Sequence, residues 1–470
     1  MTADGGFATR LSREGSGPPA APVAVAHLGL GGFFRAHQAV YTARAPDARS
    51  WGIAAFSGRS RDLADRLSEQ GGLYTLVERG PAEDRCWVVP SVSRAVDGGD
   101  TGSWLAVLAA PATRLVTLTV TEAAYLRAAT GEVRFEDPVV AADLAALRSG
   151  VFDGVRTVPG RLVAGLAVRR RAEGGPLSVV PCDNLPQNGA AAQGVVTSLA
   201  ERVDQGLSAW LRESVSFVDT EVDRITPRTT DRDRELVEVQ TGIRDDCPVV
   251  TEPFSEWVLA GTFLAGRPRW EDAGAQFVED VTPFERRKLW LLNGAHSLLA
   301  YAGSQRGHRS VAQAIGDDVC VGWVERWWDE AAPHLDLPEA SLLDYRDALL
   351  TRFENPRIAH QLEKIAADGS VKLPVRVLPV IGAERAAGRV PWAGARVLAA
   401  WLLHLRGSGA AINDPAAGDL TRLAIGPLRS AVPLVLDYLA AGLGADQPLV
   451  DAVAELAREM AGGSAAAGPR

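Results

Sequence analysis

An apolar run that ends in a cluster of glycines constrains the fold of this chain more than any other segment does. The run extends from Val23 to Leu28, continues as GLGGFFR from Gly29, and is followed by AHQAVYTARA, which is compatible with a helix. A strand, a glycine turn and a helix start in this order let backbone amides approach the phosphates of a dinucleotide. The sequence therefore predicts a Rossmann-type domain that binds NAD or NADP through Gly29, Gly31, Gly32, Phe33 and Arg35.

The glycine cluster departs from the usual dinucleotide fingerprint at one position. Phe34 stands where GxGxxG has its third glycine, so the segment alone is also compatible with a glycine-rich turn after any buried strand. The motif TVTEAAY supplies a second region, because Thr121 and Glu122 lie just past an inner strand, where Rossmann proteins approach the nicotinamide ribose. We predict both residues as cofactor contacts.

The end of the next strand bears on the choice between NAD and NADP. SWGIAAFSG runs into Ser57, and no Asp or Glu stands at its end to accept hydrogen bonds from the adenosine ribose. Arg59 and Arg61 are placed to meet a 2′-phosphate instead, while Asp62 could restore selectivity for NAD. The alternative is that both arginines point to solvent. Ser57 and Arg59 complete the predicted cofactor contacts, and we predict that NADP is tolerated, with the preference between NAD and NADP left open.

The residue pattern changes along the chain, and the two patterns predict its fold class. Up to about residue 275, short β-branched runs alternate with alanine- and leucine-rich stretches, as in a largely parallel sheet covered by helices. Beyond about residue 281, alanine-, leucine- and arginine-rich segments indicate helices separated by proline or glycine. We predict an α/β Rossmann-type amino-terminal domain plus a mostly α-helical carboxy-terminal domain. The predicted boundaries are a flexible leader at 1–22, the dinucleotide-binding domain at 23–280, a helical substrate and catalytic domain at 281–460, and a flexible tail at 461–470.

Composition limits the partners of the protein. A chain of 470 residues is too long for one ordinary core, so two domains are expected. With 49 Lys and Arg residues against 58 Asp and Glu residues and no long basic block, nucleic acid and anionic membranes are not expected as partners. The four cysteines are scattered without a CxxC pair, and no stretch has the length of a signal peptide or a membrane span. We expect a cytoplasmic protein, either a monomer or a small homo-oligomer.

The segment VTPFERRKLWLLNGAHSLLAYAG, residues 281–303, places three polar side chains on one predicted helix. At about 100° per residue, His296 lies roughly 80° and Asn293 roughly 140° around the axis from Lys288. The surrounding leucines and tryptophan indicate that this face meets protein, where a lysine loses hydration and the neutral amine of a general base is favoured. The alternative is an amphipathic helix with a snorkelling Lys288 and a satisfied core histidine at position 296.

Eight motifs follow one another along nearly the whole chain. They are HLGLGGFFRAHQAVYT from His27, GGLYTLVERG from Gly71, VTLTVTEAAY from Val116, VVPCDNLPQNG from Val179, VDRITPRTT from Val222, VVTEPFSEWVL from Val249, KLWLLNGAHSLLAYAG from Lys288 and DGSVKLPVR from Asp368. In this order they resemble the polyol-specific long-chain dehydrogenases and reductases, the group of mannitol 2-dehydrogenase, fructuronate reductase and mannonate oxidoreductase. The resemblance implies a metal-independent enzyme that transfers hydride reversibly between NAD(P) and a secondary alcohol of a sugar alcohol or sugar acid.

The resemblance also implies a role for each polar residue that matches a family motif. Lys288 is implied as the catalytic lysine, Asn184 of CDNLPQNG and Asn293 as paired asparagines, and His296 as the active-site histidine. The chemistry agrees, because oxidation of an alcohol needs a base at the hydroxyl, and two amide donors stabilise the alkoxide-like oxygen. Glu285 matches a family glutamate that relays protons to the lysine, or it is a helix N-terminal carboxylate favoured by the dipole.

Substrate contacts are predicted at Asp223 and Arg224 of VDRITP and at Lys364 and Lys372, which flank the DGS segment. A polyhydroxylated chain needs carboxylate acceptors as well as cationic donors, although Arg224 is also placed for a structural ion pair. Mannitol-specific members of the family resemble one another in having arginine at the position of Lys364, so the substrate stays open. The alternatives are a zinc enzyme, for which no ligand set stands at the required spacing, and a catalytically silent dinucleotide-sensing protein of the same fold.

Overall fold

Two structural units make up the protein. The computed structural model describes residues 9–14, 17–58, 60–358 and 360–465, and the chain divides into Met1–Thr282 and Pro283–Arg470. A parallel sheet with flanking helices dominates the first unit, and helices dominate the second. The predicted fold class is therefore confirmed. Among the described residues, no helix combines the length and the apolar character needed to cross a membrane.

The amino-terminal unit alternates strands with helices. Its strands are β1 (Thr9–Arg10), β2 (Val23–Leu30), β3 (Gly52–Ser57), β4 (Tyr74–Arg79), β5 (Asp84–Val89), β6 (Val92–Val96), β7 (Leu115–Leu118), β8 (Leu177–Pro181), β9 (Val215–Phe217), β10 (Asp219–Asp223), β11 (Ile243–Arg244), β12 (Val249–Thr251), β13 (Glu256–Ala260) and β14 (Gln276–Val278). Its helices are α1 (Gly32–Ala36), α2 (Gln38–Arg44), α3 (Asp62–Glu69), α4 (Thr101–Ala109), α5 (Pro138–Ser149), α6 (Val158–Arg171), α7 (Asn188–Val203), α8 (Gln205–Ser214) and α9 (Asp231–Thr241). Two small sheets, in the orders β12-β4-β5 and β10-β13-β14, accompany the main one.

The strand order of the main sheet indicates where a ligand binds. Its strands lie in the order β6-β3-β2-β7-β8-β9, and all neighbouring pairs are parallel. Numbered within the sheet, this is the 3-2-1-4-5-6 order of doubly wound dinucleotide-binding folds, which reverses between β2 and β7. Ligands of such sheets bind outside the carboxyl ends of the strands at this reversal. The turn after β2 and the segment after β7 therefore border the expected cofactor site.

The strands of the main sheet are buried on both faces, which explains their apolar runs. Ala26 and Leu28 of β2 belong to a core shared with α4, α6 and α7, whereas Val25 belongs to a second core with α1 and α2. Full burial of a Val or Leu side chain stabilises a fold by about 1.5–3 kcal/mol. A slip of one residue would exchange the two faces, so this packing fixes the position of the strand that leads into the glycine turn.

The carboxy-terminal unit is helical along most of its described residues. Its helices are α10 (Thr282–Arg287), which starts at the border, α11 (Ala295–Leu298), α12 (Val311–Ile315), α13 (Asp318–Ala331), α14 (Glu339–Phe353), α15 (Leu362–Ala366), α16 (Gly369–Arg376), α17 (Leu378–Ala386), α18 (Trp392–Leu405), α19 (Ala417–Ala424), α20 (Leu428–Leu439) and α21 (Gln447–Ala465). Two π-helical stretches, Lys288–Gly294 and Leu299–Gly303, continue α10 and α11 as one helical segment. The helix predicted over 281–303 is present, but it is not a regular α-helix.

Both ends of the chain differ in part from the predicted flexible segments. Strand β1 pairs in parallel with β11, and Leu11 is buried. The Arg13 guanidinium donates hydrogen bonds to the carbonyl oxygens of Pro90 (2.6 Å) and Val92 (2.9 Å), which ties the leader to the unit. At the other end, α21 continues to Ala465, past the predicted start of the tail at residue 461. The remaining terminal residues lie outside the described ranges.

Candidate active site

The turn after β2 has the backbone geometry of a dinucleotide cradle. Gly29 adopts a φ of +111°, and a Cβ there would overlap the carbonyl oxygen of Thr119, just after β7. Only glycine fits at such a position. Among the described atoms, a Cβ at Gly31 would meet nothing nearer than the Gly29 carbonyl oxygen, and one at Gly32 nothing nearer than the Thr226 methyl group, both at 3.5 Å. Open space therefore faces this backbone, as the approach of a pyrophosphate requires.

Phe34 explains why the third glycine of the fingerprint is absent. Its ring is fully buried and stacks on the His27 imidazole of β2, with 3.5 Å between the ring centroids. His27 Nε2 donates a hydrogen bond to Thr119 Oγ1 (3.1 Å), because that hydroxyl already donates to the Gly29 carbonyl. Burial lowers the pKa of His27 to about 3. The flat, neutral His27 ring therefore supports the start of α1. In other Rossmann turns, the third glycine lets the helix pack closely at this place.

The sequence predicts a cofactor contact at Arg35, but the structure directs this side chain into the protein. Its guanidinium is buried, donates hydrogen bonds to the carbonyl oxygens of Gly31 (3.2 Å) and Cys247, and lies over the Tyr74 ring. A guanidinium that is committed to carbonyl acceptors holds the glycine turn from within and presents no fork to a phosphate. The side chain of Arg35 therefore serves the fold, contact of its backbone with the cofactor stays a prediction, and Phe33 beside it is half-buried.

Arg224 makes the structural ion pair and not the predicted substrate contact. Its fully buried side chain bonds to the Glu78 carboxylate at 2.8 Å and donates to the carbonyl oxygens of Ala36 and Glu252. Ala36 is the last residue of α1, so Arg224 satisfies a carbonyl that a helix end leaves without an internal partner. Asp223, the last residue of β10, is buried, and its contact with substrate stays a prediction.

An acid that the sequence prediction misses lies near the carboxyl end of β3. Ser57 is buried, and its hydroxyl accepts a backbone hydrogen bond from the turn after β6 (2.9 Å). Arg59 lies outside the described residues. Arg61 bonds to Asp65 (2.7 Å), and Asp65 together with Asp97 raises the pKa of Arg61. Asp97 follows β6, which lies beside β3 in the sheet. The sequence does not show which strands are neighbours, and this is why Asp97 was not predicted near the end of β3.

A cleft of about 590 Å³ opens beside the segment that follows β7. Thr121 and Glu122 are both exposed and line it together with Ala123, Arg127, Ala128, Ala129, Arg134 and Leu185. Leu185 belongs to the loop after β8, so segments from the carboxyl ends of two neighbouring strands border the cleft. This is the edge at which the strand order predicts a ligand.

The loop CDNLPQNG after β8 presents Asn184 to solvent on a rigid support. Asn188 is fully buried. Its side-chain Nδ2 donates a hydrogen bond to the Thr220 carbonyl oxygen (3.0 Å), and its side-chain Oδ1 accepts one from Thr220 N (2.9 Å). This pair fixes the loop to β10, and Asn184 is exposed on the loop that it supports. Sequence reasoning missed Asn188 as a positioning residue, although it stands in the same motif, because spacing does not separate a buried amide from an exposed one.

Asp183 joins the segments that follow β7 and β8. Its carboxylate accepts hydrogen bonds from the Tyr125 hydroxyl and from Leu185 N (3.1 Å). Burial is the main cause that raises the pKa of Asp183 to about 6. The two segments that border the cleft are thereby attached to each other within the amino-terminal unit.

In the carboxy-terminal unit, the π-helical stretch Lys288–Gly294 changes the geometry predicted for the catalytic face. A π-helix closes its turn with i→i+5 hydrogen bonds, so Asn293 lies about one turn from Lys288 and not roughly 140° around the axis. Both side chains are half-buried, and His296 on α11 is buried. Glu285 is buried in the first turn of α10. The predicted residues share one helical segment, and the π-helix brings Lys288 and Asn293 to the same side of it.

Side-chain donors from α13 stabilise this π-helical stretch. Trp327 Nε1 donates to the Trp290 carbonyl at 2.7 Å, and Trp328 Nε1 donates to the Leu291 carbonyl at 2.9 Å. Side chains that insert into the main-chain hydrogen-bond ladder are an established cause of irregular helices. A Cβ at Gly294 would stand 2.6 Å from the Trp327 indole, so glycine is what lets that indole pack here. The adjacent tryptophans are visible in the sequence, but their carbonyl partners are not.

His296 occupies a buried environment with several cations nearby. Its ring contacts Phe353 (4.8 Å between centroids) and His360 (4.7 Å), and its Nε2 is buried without a hydrogen-bond partner among the described residues. A satisfied core histidine, the alternative reading of the sequence, therefore does not fit. Burial, followed by His360, Arg352 and Arg376, holds the pKa of His296 well below its usual range. The neutral imidazole can exchange a hydrogen bond with a substrate hydroxyl.

The DGS segment forms a sharp turn between α15 and α16. Asp368 adopts a left-handed φ of +58°. Lys372 Nζ donates to the Ala367 carbonyl at 2.6 Å and lies 3.7 Å from the Asp368 carboxylate, so it holds this turn. Lys364 on α15 is exposed. Contacts of Lys364 and Lys372 with substrate stay predictions. A substrate contact of Lys372 would have to be made in addition to its bonds with Ala367 and Asp368.

One group in the described part of the chain offers donors for a metal ion. His308, Asp317 and Cys320 each contribute an atom within 4.8 Å of the others. Arg306 Nε bonds to Asp317 Oδ2 at 2.6 Å, and this bond is the main cause that holds the pKa of Asp317 well below its usual range. The guanidinium already supplies the positive charge at that carboxylate. None of the predicted catalytic residues belongs to the group.

Comparisons with known proteins identify the family of the chain. The family model of the mannitol dehydrogenase Rossmann domain matches residues 23–272, and that of the mannitol dehydrogenase C-terminal domain matches residues 280–457. D-mannonate oxidoreductase of Escherichia coli (strain K12) is 37% identical over 369 residues, which cover 75% of this chain and 74% of that protein. Mannitol 2-dehydrogenase of Pyrenophora tritici-repentis (strain Pt-1C-BFP) is 34% identical over 423 residues, which cover 86% of this chain and 74% of that protein.

Two solved structures share the fold over nearly the full chain. Pseudomonas fluorescens mannitol 2-dehydrogenase, in a ternary complex with NAD and D-mannitol, has 35% identity and a TM-score of 0.77, with 95% of this chain and 93% of that chain covered. A D-sorbitol dehydrogenase in substrate-free form has 30% identity and a TM-score of 0.87, with 96% and 95% covered. These matches confirm the resemblance drawn from the sequence motifs. The chain belongs to the mannitol dehydrogenase family of oxidoreductases.

Proposed function

We propose that the protein transfers a hydride reversibly between NAD(P) and a secondary alcohol of a sugar alcohol or sugar acid, with Lys288 as general acid and base and without a metal ion. The observation that carries this proposal is the π-helical stretch, which supports a common orientation of Lys288 and Asn293 about one turn apart. Family membership supports the reaction class, since the relatives are a mannonate oxidoreductase and mannitol dehydrogenases.

Lysine usage supports Lys288 as the proton-transfer group. The chain has three lysines, Lys288, Lys364 and Lys372, among 49 Lys and Arg residues. Arginine keeps its proton in proteins, so only a lysine can alternate between amine and ammonium. A chain that uses arginine almost everywhere, yet has lysine on the helical segment of Asn293 and His296, is consistent with a role that arginine cannot perform.

In the oxidation direction, the neutral Lys288 amine takes the proton of the substrate hydroxyl while the carbon–oxygen double bond forms. Bound NAD would accept the hydrogen of the same carbon as a hydride, together with both electrons of its C–H bond. The Asn293 amide donates a hydrogen bond to the oxygen as it becomes alkoxide-like, and one such donor contributes about 2.7–4 kcal/mol. The family resemblance implies the same role for Asn184. Neutral His296 orients a neighbouring substrate hydroxyl. Reduction uses the Lys288 ammonium as the acid.

We infer that NAD is the better cofactor. The open backbone at Gly31 and Gly32 fits a pyrophosphate of either dinucleotide. The carboxylates of Asp65 and Asp97 act on Arg61, one of the two arginines that the sequence offers to a 2′-phosphate, and they would repel that phosphate. The NADP tolerance predicted from the sequence is accordingly expected to be weak.

A spectrophotometric screen tests the reaction class. The purified protein is incubated with NAD or NADP and with mannitol, arabinitol, sorbitol, mannonate or altronate, and reduction of fructose and fructuronate is followed in the same plate. We expect cofactor-linked turnover with at least one of these pairs. Binding of NAD without turnover across the panel would contradict the proposal and favour a catalytically silent dinucleotide-sensing protein.

Substitutions at position 288 test the role of the lysine. Lys288→Ala and Lys288→Arg are both expected to lower kcat by about 10²- to 10⁴-fold in each direction, because arginine keeps the charge but cannot release its proton. Arg286→Ala, an exposed position on α10, serves as the control. In the unchanged enzyme, oxidation should rise with pH and reduction should fall. A Lys288→Arg enzyme with normal kcat would refute the lysine mechanism.

A further inference from the structure

Arg376, the last residue of α16, is a cation without a carboxylate partner in the described part of the chain. The hydrogen bond of its guanidinium runs from Nη1 to Ser297 Oγ at 3.3 Å. The side chain is half-buried, and this partial loss of hydration lowers the pKa of its guanidinium. A desolvated charge is costly unless an anion compensates it. The position therefore suits a ligand that brings its own negative charge.

Ser297 connects Arg376 to the predicted catalytic residues. Ser297 follows His296 in α11, and its hydroxyl donates to the Asn293 carbonyl at 3.1 Å. A single hydroxyl thus lies between the Arg376 guanidinium and the backbone of Asn293. A ligand group held by Arg376 would accordingly be close to the residues that act on the reacting carbon, within the same structural unit.

Other cations face the same region of the carboxy-terminal unit. After burial, His360, Arg352 and Arg376 lower the pKa of His296. Burial and then Arg376 lower the pKa of Lys372. Asp368 and Asp414 act in the opposite direction on Lys372, and all of these effects require that the groups lie close together.

The carboxylates of the neighbouring turn are committed to other partners. Asp414 accepts hydrogen bonds from the Ser370 amide (2.8 Å) and the Ser370 hydroxyl (2.6 Å) at the start of α16. Asp368 lies 3.7 Å from Lys372. Neither carboxylate forms an ion pair with Arg376, so its guanidinium keeps donors for an anionic ligand.

We propose that Arg376 binds the carboxylate of the substrate, and that the protein prefers sugar acids, an aldonate in oxidation and a ketouronate in reduction, over neutral sugar alcohols. The proposal rests on the proposed function and names its substrate class. A planar guanidinium forms two parallel hydrogen bonds with a carboxylate, which a hydroxymethyl group does not replace. The aldonate CH–OH group gives a hydride to NAD and a proton to Lys288, which yields the ketone, NADH and one proton. The carboxylate is unchanged.

Matched substrates test this preference in the unchanged enzyme. Mannonate is compared with mannitol, and gluconate with sorbitol, because each pair differs only in the carboxylate end. We expect kcat/KM for the better aldonate to exceed that of its alcohol by about 100-fold. Hexitol turnover equal to or better than aldonate turnover in both pairs would overturn the carboxylate assignment and leave the proposed function intact. Absence of all turnover would refute both.

Substitutions assign the preference to the residue. Arg376→Met keeps much of the side-chain length without the charge, and it should lower kcat/KM for the aldonate by about 100-fold through KM, with a far smaller loss for the hexitol and without a rise of the KM for NAD. Arg376→Lys keeps the charge without the fork and should cost about tenfold. Arg429→Met, at an exposed arginine of α20, is the matched control. Equal losses for both substrates, or a raised KM for NAD, would show that Arg376 is structural or binds a cofactor phosphate.

A competition measurement on the unchanged enzyme covers the case in which Arg376→Met does not fold. Glycerate carries the carboxylate on a chain too short to satisfy the rest of the site, and glycerol is its neutral counterpart. We expect glycerate to compete with mannitol at least about tenfold more strongly than glycerol does. Equal inhibition by the two compounds would overturn the proposal.

Discussion

Replacement of Gly294 by alanine tests the packing that holds the π-helical stretch. Gly294 has ordinary helical dihedrals, φ −64° and ψ −47°, so backbone strain does not explain the glycine. The side chain does, because a Cβ would stand 2.6 Å from Nε1 and Cζ2 of Trp327. That indole is fully buried and bonds to the Trp290 carbonyl, which prevents a simple rotation away.

The expected loss of stability follows from three contributions. Overpacking of a buried site costs about 1–3 kcal/mol. Displacement of the Trp327 indole would leave a buried N–H or carbonyl unsatisfied, at about 1–3 kcal/mol. Alanine gains about 1 kcal/mol over glycine in a helix, so Gly294→Ala should lower the free energy of unfolding by about 3 kcal/mol. Gly382→Ala in α17, where a Cβ meets nothing within 4 Å among the described atoms, should raise it by about 1 kcal/mol.

Urea unfolding followed by tryptophan fluorescence measures both variants under the same conditions. Gly294→Ala should also reduce kcat, because the π-helical stretch carries Lys288 and Asn293. The loss of stability should be smaller when Gly294→Ala is combined with Trp327→Phe, which removes the overlapping atoms. If Gly294→Ala is as stable as Gly382→Ala, contact with Trp327 does not determine the glycine, and the explanation given for the π-helix fails.

Three further outcomes are expected. Asp97→Ala should raise the ratio of kcat/KM for NADP to that for NAD by about tenfold, and an unchanged ratio in initial-rate assays would place Asp97 away from the adenosine ribose. Because burial raises the pKa of Asp183 to about 6, the folded protein holds this proton more tightly than the unfolded chain, so the free energy of unfolding should fall as pH rises from about 4 to about 6. Asp183→Asn should remove that fall, about 3 kcal/mol in urea unfolding, and an unaltered pH profile would contradict the assignment. Prolonged treatment with EDTA should leave turnover unchanged, whereas a loss that zinc restores would contradict the lysine mechanism.

The sequence predicts the fold class because its signals are local. The apolar run of β2 and the glycines after it require only neighbouring residues, and the structure has both a parallel sheet and a tight turn at Gly29. The strand order is not local. Asp97 approaches the end of β3 only because β6 lies beside it, and no spacing in the chain reveals that neighbour.

Family motifs allowed the residues of the candidate site to be predicted from the sequence. The relative orientation of these residues was less predictable, because it depends on the local helix geometry. The angular rule of about 100° per residue fails between Lys288 and Asn293, because a π-helix replaces the α-helix there. That change depends on hydrogen bonds from two indoles more than thirty positions away in the chain, Trp327 to Trp290 and Trp328 to Leu291. Helix propensity and hydrophobic pattern contain no information about such partners.

The arginines show most clearly which information the structure adds to the sequence. A guanidinium has five N–H donors, and their acceptors reveal whether the residue serves the fold or a ligand. Arg35 and Arg224 both stand in motifs next to predicted binding residues, yet main-chain carbonyls, a ring and a carboxylate engage them within the fold. Arg376 stands in a motif as well, but a single hydroxyl at 3.3 Å is its hydrogen-bond partner among the described residues. Arg35 and Arg224 are buried and Arg376 is half-buried, so acceptors within the fold, and not the residue type, separate the two structural arginines from Arg376, to which we assign the substrate carboxylate.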